Sequence, residues 1–293
     1  MRLPHPAALA GILALALGIP SVSAMQTPTA AAAASPYSYA DIADLATAAP
    51  IALHARIYRA TALKPAQATG VAPGFARFYV ESDVVSLIRG AGPLAARISY
   101  LVDLPLDSKG KPVKLKKKQP VLLFARPVAG VTAGSSNTGS VQLIAPDAQL
   151  PWDPATEAQL RAVLTELVKP GAPPAITGIA NGFHVPGTLP GEGETQLFLN
   201  TSTGDPVSLT ILTAADGSRR WAAAFGEIVD GSAAVPRQDT LAWYRLACGL
   251  PRQLPLTKLA GTAPEDRRKA ASDYGVVLGA LGDCTRTRKA PAG

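Results

Sequence analysis

The sequence predicts a β-rich α+β fold: a small five-stranded β-barrel, OB-like at the level of shape, followed by an α+β domain in which helices pack on an antiparallel meander. Three features carry that expectation. Five segments between residues 51 and 144 show apolar alternation or short apolar runs of strand length. Residues 194–230 read as three alternating strands joined by two tight turns. Helical apolar spacing follows Asp153 and returns before Cys284.

At the N-terminus, Arg2 gives a positive start, 7–19 is an apolar run, and Val22-Ser23-Ala24 supplies small residues. That is the pattern of a secretory signal peptide over 1–24. At ~13 residues the run is too short to span a bilayer, which needs ~20. The Ala/Thr/Pro-rich stretch 25–36 is expected as a flexible leader. Ile42 and Leu45 then stand at helical spacing behind Ser38, a candidate cap.

The barrel is expected over 37–150, with strands starting near Ile51, Phe75, Ala96, Pro120 and Val141. The second is long and carries Glu81-Ser82-Asp83 in its middle, so a bend or bulge is expected there. Closing five such strands would remove the edges that invite aggregation. A lysine-bearing turn joins the third and fourth, and a Gly/Ser loop, expected to be mobile, joins the fourth and fifth.

The α+β domain is expected over 151–284. Asp153 suits an N-cap and Pro154 the first helical position, before Leu160, Val163, Leu164, Leu167 and Val168 on one face. The meander places Leu197 and Leu199, then Val207, Leu209 and Ile211, then Trp221, Ala223 and Phe225 at period two. Asp239 or Thr240 caps a short helix through Cys248. Thr262 and Glu265 form a capping-box pattern for the last helix, whose apolar face uses Ala270, Ala271, Tyr274, Val277, Leu278 and Leu281. Residues 285–293 are expected to form a disordered basic tail.

The two cysteines, Cys248 and Cys284, are expected to pair in an oxidising compartment. The loop of about 37 residues so closed is worth on the order of 4 kcal/mol in the chain-entropy model. Such a bridge would tie the last helix to the helix ending at Cys248.

The formal charge is +7, and six of the cations, Lys109, Lys111, Lys114, Lys116, Lys117 and Lys118, fall within ten residues. A cluster of this kind favours an anionic partner, here a lipid headgroup or polysaccharide of the cell envelope. The plainer reading is a solvated hairpin whose lysines guard a sheet edge. At 5% aromatics a base-stacking surface is poorly supplied, so nucleic acid is not the expected partner.

Strong catalytic patterns are missing from the sequence. There is no H-E-x-x-H, no zinc-spaced Cys/His set, no G-x-S-x-G and no phosphate loop, and no motif implies a cofactor. Beyond residue 24 only His54 and His184 occur. The Gly-rich stretch 184–196 sets His184 near Glu192 and Glu194, groups able to do acid-base work if brought together; the plainer reading is a hairpin. Glu227 with Asp230 reads as a charged sheet end, and Trp221, Trp243 and Tyr244 as core rather than a sugar-binding face. The expected function is an exported, periplasmic-type, non-catalytic binding or envelope-associated protein. The alternatives are a hydrolase using His184 with Glu192 or Glu194, and an assembly or secretion accessory that engages a partner protein.

Overall fold

Two antiparallel sheets share one continuous apolar core, and neither closes into a barrel. The computed structural model describes residues 34–92, 94–128, 139–226, 233–259 and 263–288. The signal-type segment, most of the leader, most of the Gly/Ser loop and the Glu227–Asp230 pair lie outside these residues.

Helix α1 (Tyr39–Ala48) starts at Ser38, whose hydroxyl accepts from the Asp41 N–H while the Asp41 carboxylate accepts from the Ser38 N–H. This reciprocal cap satisfies two donors that would otherwise be orphaned. The first sheet follows: β1 (Ile51–Ala62), β2 (Phe75–Arg89), β3 (Arg97–Pro105), β4 (Pro120–Pro127), β5 (Val141–Leu143) and β6 (Gln149–Pro151). Its order is β3-β2-β1-β4-β5, with β6 also paired to β4.

The five expected strands all form, yet the expected barrel does not. Closure needs the first and last strands of the order to share a ladder. Here β5 has only three residues, and β3 meets that side of the sheet at a single isolated bridge, Ser99 to Ser140. The centre of the sheet is also buried on both faces, since Ile51–Ala55 of β1 and Val121–Ala125 of β4 are inside without a break. Residues covered on both faces mark a sheet packed within a layered core. The expected irregularity near Glu81 is present, but the extra residue is Tyr58 in β1, opposite Glu81 and Ser82. There the β1–β2 register shifts.

Helix α2 (Pro154–Leu167) is capped by Asp153, which accepts from the Thr156 N–H, and buries Leu160, Val163 and Leu164. The second sheet consists of β7 (Ile176–Pro186), β8 (Gly193–Thr201), β9 (Val207–Thr213) and β10 (Arg219–Phe225), in the order β10-β9-β8-β7. The expected meander is therefore its last three strands, turned between β9 and β10 at Gly217, where φ is +80°.

Helix α3 (Leu241–Gly249) is capped by Thr240, and α4 (Pro264–Leu281) lies against β7, β8 and β10 with Ala270, Tyr274, Val277 and Leu281 buried. Thr262 of the expected capping box lies outside the described residues. The N-cap of α4 is Ala263, which has no side-chain acceptor to offer, and Pro264 opens the helix without needing one.

Cys248 at the end of α3 and Cys284 just beyond α4 form a disulfide. Residues 285–288, expected to begin a disordered tail, instead dock on α1 and the β5–β6 loop. Arg286 pairs with Asp44, Thr287 with Asp41 and Arg288 with Asp147. Carboxylates of α1 thus capture the cations and donors that the sequence suggested were free.

Candidate functional site

The six lysines occupy the connection from β3 to β4, and every one is exposed. Asp107 fixes one end of it. Its Oδ1 accepts from the backbone N–H groups of Lys109 at 2.8 Å and Lys111 at 2.9 Å. At the other end the Gln119 side chain accepts from the Lys116 N–H, and the Lys118 N–H donates to the Ile57 carbonyl at 2.7 Å. Lys118 has φ of +65°, a left-handed turn held by these bonds.

Between the ends, Val113 and Leu115 are half-buried, Leu115 against the core, while Lys114 and Lys116 project outward. Among the described residues none of the six ammonium groups lies within ion-pairing distance of a carboxylate. Lys117 stands 5.1 Å from the centre of the Tyr58 ring, and the Arg97 guanidinium lies over the same ring at 3.4 Å. Arg97 is itself paired with Asp83 at 2.7 Å, so the uncompensated positive charge stays on the lysine-bearing connection.

His184 is not brought to Glu192 or Glu194. In register it stands opposite Thr195, so it faces inward beneath α4, whereas Glu194 stands opposite Val185 on the other face. Glu194 accepts from the Gln196 amide at 2.7 Å, and Glu192 sits in the hairpin turn, accepting from the Leu189 N–H. The strand pleat separates the groups that sequence proximity placed together.

The carboxylate near His184 comes from α4. Asp273, 2% exposed, accepts from the Thr195 hydroxyl at 2.6 Å and forms an ion pair with Arg219, Nε to Oδ1 3.0 Å. Thr195 has one hydrogen and gives it to Asp273, so His184 Nδ1 donates to Thr195 Oγ1 across 2.9 Å. Nε2, the nitrogen a general base would offer to a substrate, is buried without a partner, and the ring edge that carries it lies over Gly193. A Cβ built on Gly193 would stand 2.6 Å from His184 Cε1. The cluster thus anchors α4 to the sheet. Only its helix-side member, a buried Asp on an otherwise apolar helix face, was a signal in the sequence.

His54 belongs to a second buried group. Its ring stacks on Trp152 at 4.6 Å between centroids, and Nδ1 is 3.8 Å from Glu157. Burial pushes the His54 pKa below its ordinary value, and Arg56 adds to this while Glu157 opposes it. Burial alone would raise the Glu157 carboxyl, but hydrogen bonds from Trp152 and Arg161 hold it below the usual range. Trp243 is core, donating from Nε1 to the Leu281 carbonyl, and Tyr244 donates to Asp44. Trp221 is half-buried at the rim of the second sheet. Among the described residues no group of three or more His, Cys, Asp or Glu side chains is placed to hold a metal ion.

A cavity of about 410 Å³ lies behind the lysine-bearing connection, bounded by β3, β6, Tyr37 and the docked residues Thr287 and Arg288. Sequence reasoning missed it, because it is assembled from segments far apart in the chain.

No protein-family model matches this chain, and no curated protein matches its sequence.

Proposed function

We propose that this is an exported, non-catalytic binding protein that docks on an anionic component of the cell envelope through the β3–β4 connection carrying Lys109 to Lys118. One observation carries the reading: six exposed, unpaired lysines, among the described residues, on the connection from β3 to β4, whose two ends are fixed by hydrogen bonds to backbone groups. A solvated surface usually mixes both signs of charge, and a single-sign block on a fixed base attracts a polyanion at long range. Export is supported by the signal-type sequence of 1–24 and by a disulfide that suits an oxidising compartment. No helix among the described residues is long and apolar enough to cross a membrane. Surface attachment through charge is consistent with that.

Retention on a heparin-like polymer across a salt gradient tests the docking reading. The quadruple variant Lys114→Gln, Lys116→Gln, Lys117→Gln, Lys118→Gln should elute at clearly lower salt, because each lost cation removes about 1 kcal/mol of screened attraction. Unchanged elution would contradict it. Export is tested separately by the mass of the secreted protein, with cleavage after Ala24 expected.

A second reading, docking of a partner protein, is favoured by the outer face of the second sheet. Phe183, Val185, Phe198 and Leu212 are exposed there, and the two phenylalanine rings lie 6.3 Å apart. Replacing Phe183 and Phe198 by Ser should abolish capture of any such partner while leaving polyanion retention intact.

A further inference from the structure

We infer that the cavity behind the lysine-bearing β3–β4 connection is a binding site for an anionic lipid, with one acyl chain entering the cavity and its charged headgroup held at the lysines. The inference rests on the docking reading above and narrows its partner from any polyanion to an amphiphile.

The cavity, about 410 Å³, is of the size that small ligands occupy. Its walls are mostly apolar, supplied by Phe75, Leu104, Val113, Leu115, Val121 and Leu150, with Gln119, Gln149 and Thr287 among the polar residues of the lining. The two carboxylates that line it carry no uncompensated charge. Asp103 is held by Arg77 through two hydrogen bonds, at 2.7 and 2.8 Å, and Asp147 is paired with Arg288. An acyl chain inside would therefore meet mainly hydrocarbon, with paired charges and neutral amides as the polar part of the wall, although Asp147 Oδ1 and Arg288 Nε are buried without a hydrogen-bond partner.

The β3–β4 connection alternates across the lip. Val113 and Leu115 line the cavity, while Lys114 and Lys116, one residue on, are exposed beside them. Lysine stems are long, flexible and apolar, with the charge at the tip, so cations on an outer lip can fold toward a headgroup left at the mouth. A polysaccharide would use the lysines and leave the apolar cavity unfilled. An anionic lipid uses both halves of the arrangement, and that charge complementarity selects it.

The test compares two probes on the purified protein: dodecyl phosphate below its micelle concentration, followed by calorimetry, and a heparin-like polymer, followed by retention. The wild type should bind both. Val113→Trp, which fills the cavity from the side of the lysine-bearing connection, should weaken dodecyl phosphate at least about tenfold and leave heparin retention unchanged. Pro105→Trp, on an exposed part of the lining, gives a second variant with the same expected pattern, and an unchanged unfolding midpoint certifies that each is folded. The lysine-to-glutamine variant should weaken both probes. If heparin is retained but dodecyl phosphate does not bind, or binds the two tryptophan variants as tightly as the wild type, the cavity is not the site although the docking reading survives. If neither probe binds the wild type, both readings fail.

Discussion

Asp41 in the first helix and Thr287, 246 residues later, are joined twice: the Asp41 carboxylate accepts from the Thr287 hydroxyl at 2.6 Å and from the Thr287 N–H at 2.9 Å. The same carboxylate accepts from Ser38 at the start of α1 and from the Arg288 N–H. A buried carboxylate with this many donors is replaced at a cost, since each donor would be stranded. Asp41→Asn is predicted to lower stability in urea unfolding by about 2–3 kcal/mol. Thr287→Val, which removes one donor and keeps the size, should cost about 1 kcal/mol.

The same geometry sets how stability depends on pH. Burial would raise the Asp41 pKa, but the hydrogen bonds from Thr287, Arg288 and Ser38 outweigh it and hold the carboxyl below its ordinary 3.8. Its contribution is therefore fully present above pH 3.8 and is lost as pH falls through the lower folded value. His54 acts in a higher window. Burial keeps it neutral when folded, so below its ordinary 6.5 the unfolded chain binds the extra proton and stability begins to fall. Unfolding free energies measured from neutral pH downward should drop first in the His54 window. In His54→Phe, which preserves the stack on Trp152, that first drop should disappear; an identical profile would contradict the assignment.

The disulfide and the docked segment should be coupled. Serine at both Cys248 and Cys284 is predicted to cost about 2–4 kcal/mol. It should also speed amide exchange at 285–288, because the bridge fixes the point from which that segment reaches α1. Exchange there that is unchanged by reduction would show that the ionic contacts suffice alone.

The contact of His184 with Gly193 makes a sharp steric prediction. Gly193→Ala places a methyl group 2.6 Å from His184 Cε1, so the ring must move and its bond to Thr195 must lengthen. Destabilisation of about 1–3 kcal/mol is expected. Asp273→Ala should cost about 3 kcal/mol, since it strands the Thr195 hydroxyl and the partly covered Arg219 together. Thermal unfolding of both variants checks these values.

Much of the local structure was legible in the residues. Ser38, Asp153 and Thr240 cap the helices as their side chains suggest, and the alternation from Leu197 to Phe225 gives the strands of the meander. Periodicity does not encode closure, however. Whether β3 and β5 would pair depended on the length of β5 and on what covers β1 and β4, and neither is a local property. The site was legible in half. The lysine cluster is a charge block visible in any one stretch of chain. The cavity behind it draws on Phe75, Leu115, Leu150 and Arg288, whose meeting only the tertiary fold determines. His184 shows the same limit: two glutamates stand close to it in sequence, while its carboxylate neighbour lies 89 positions away in α4.

Co-sedimentation with vesicles tests the docking account most directly. Phosphatidylcholine vesicles with and without phosphatidylglycerol are compared at low and high salt. The protein is predicted to sediment only with the anionic vesicles, to be released by salt, and to lose about a hundredfold or more in affinity when Lys114, Lys116, Lys117 and Lys118 become Gln. Equal sedimentation of the wild type and the glutamine variant with anionic vesicles would contradict the account.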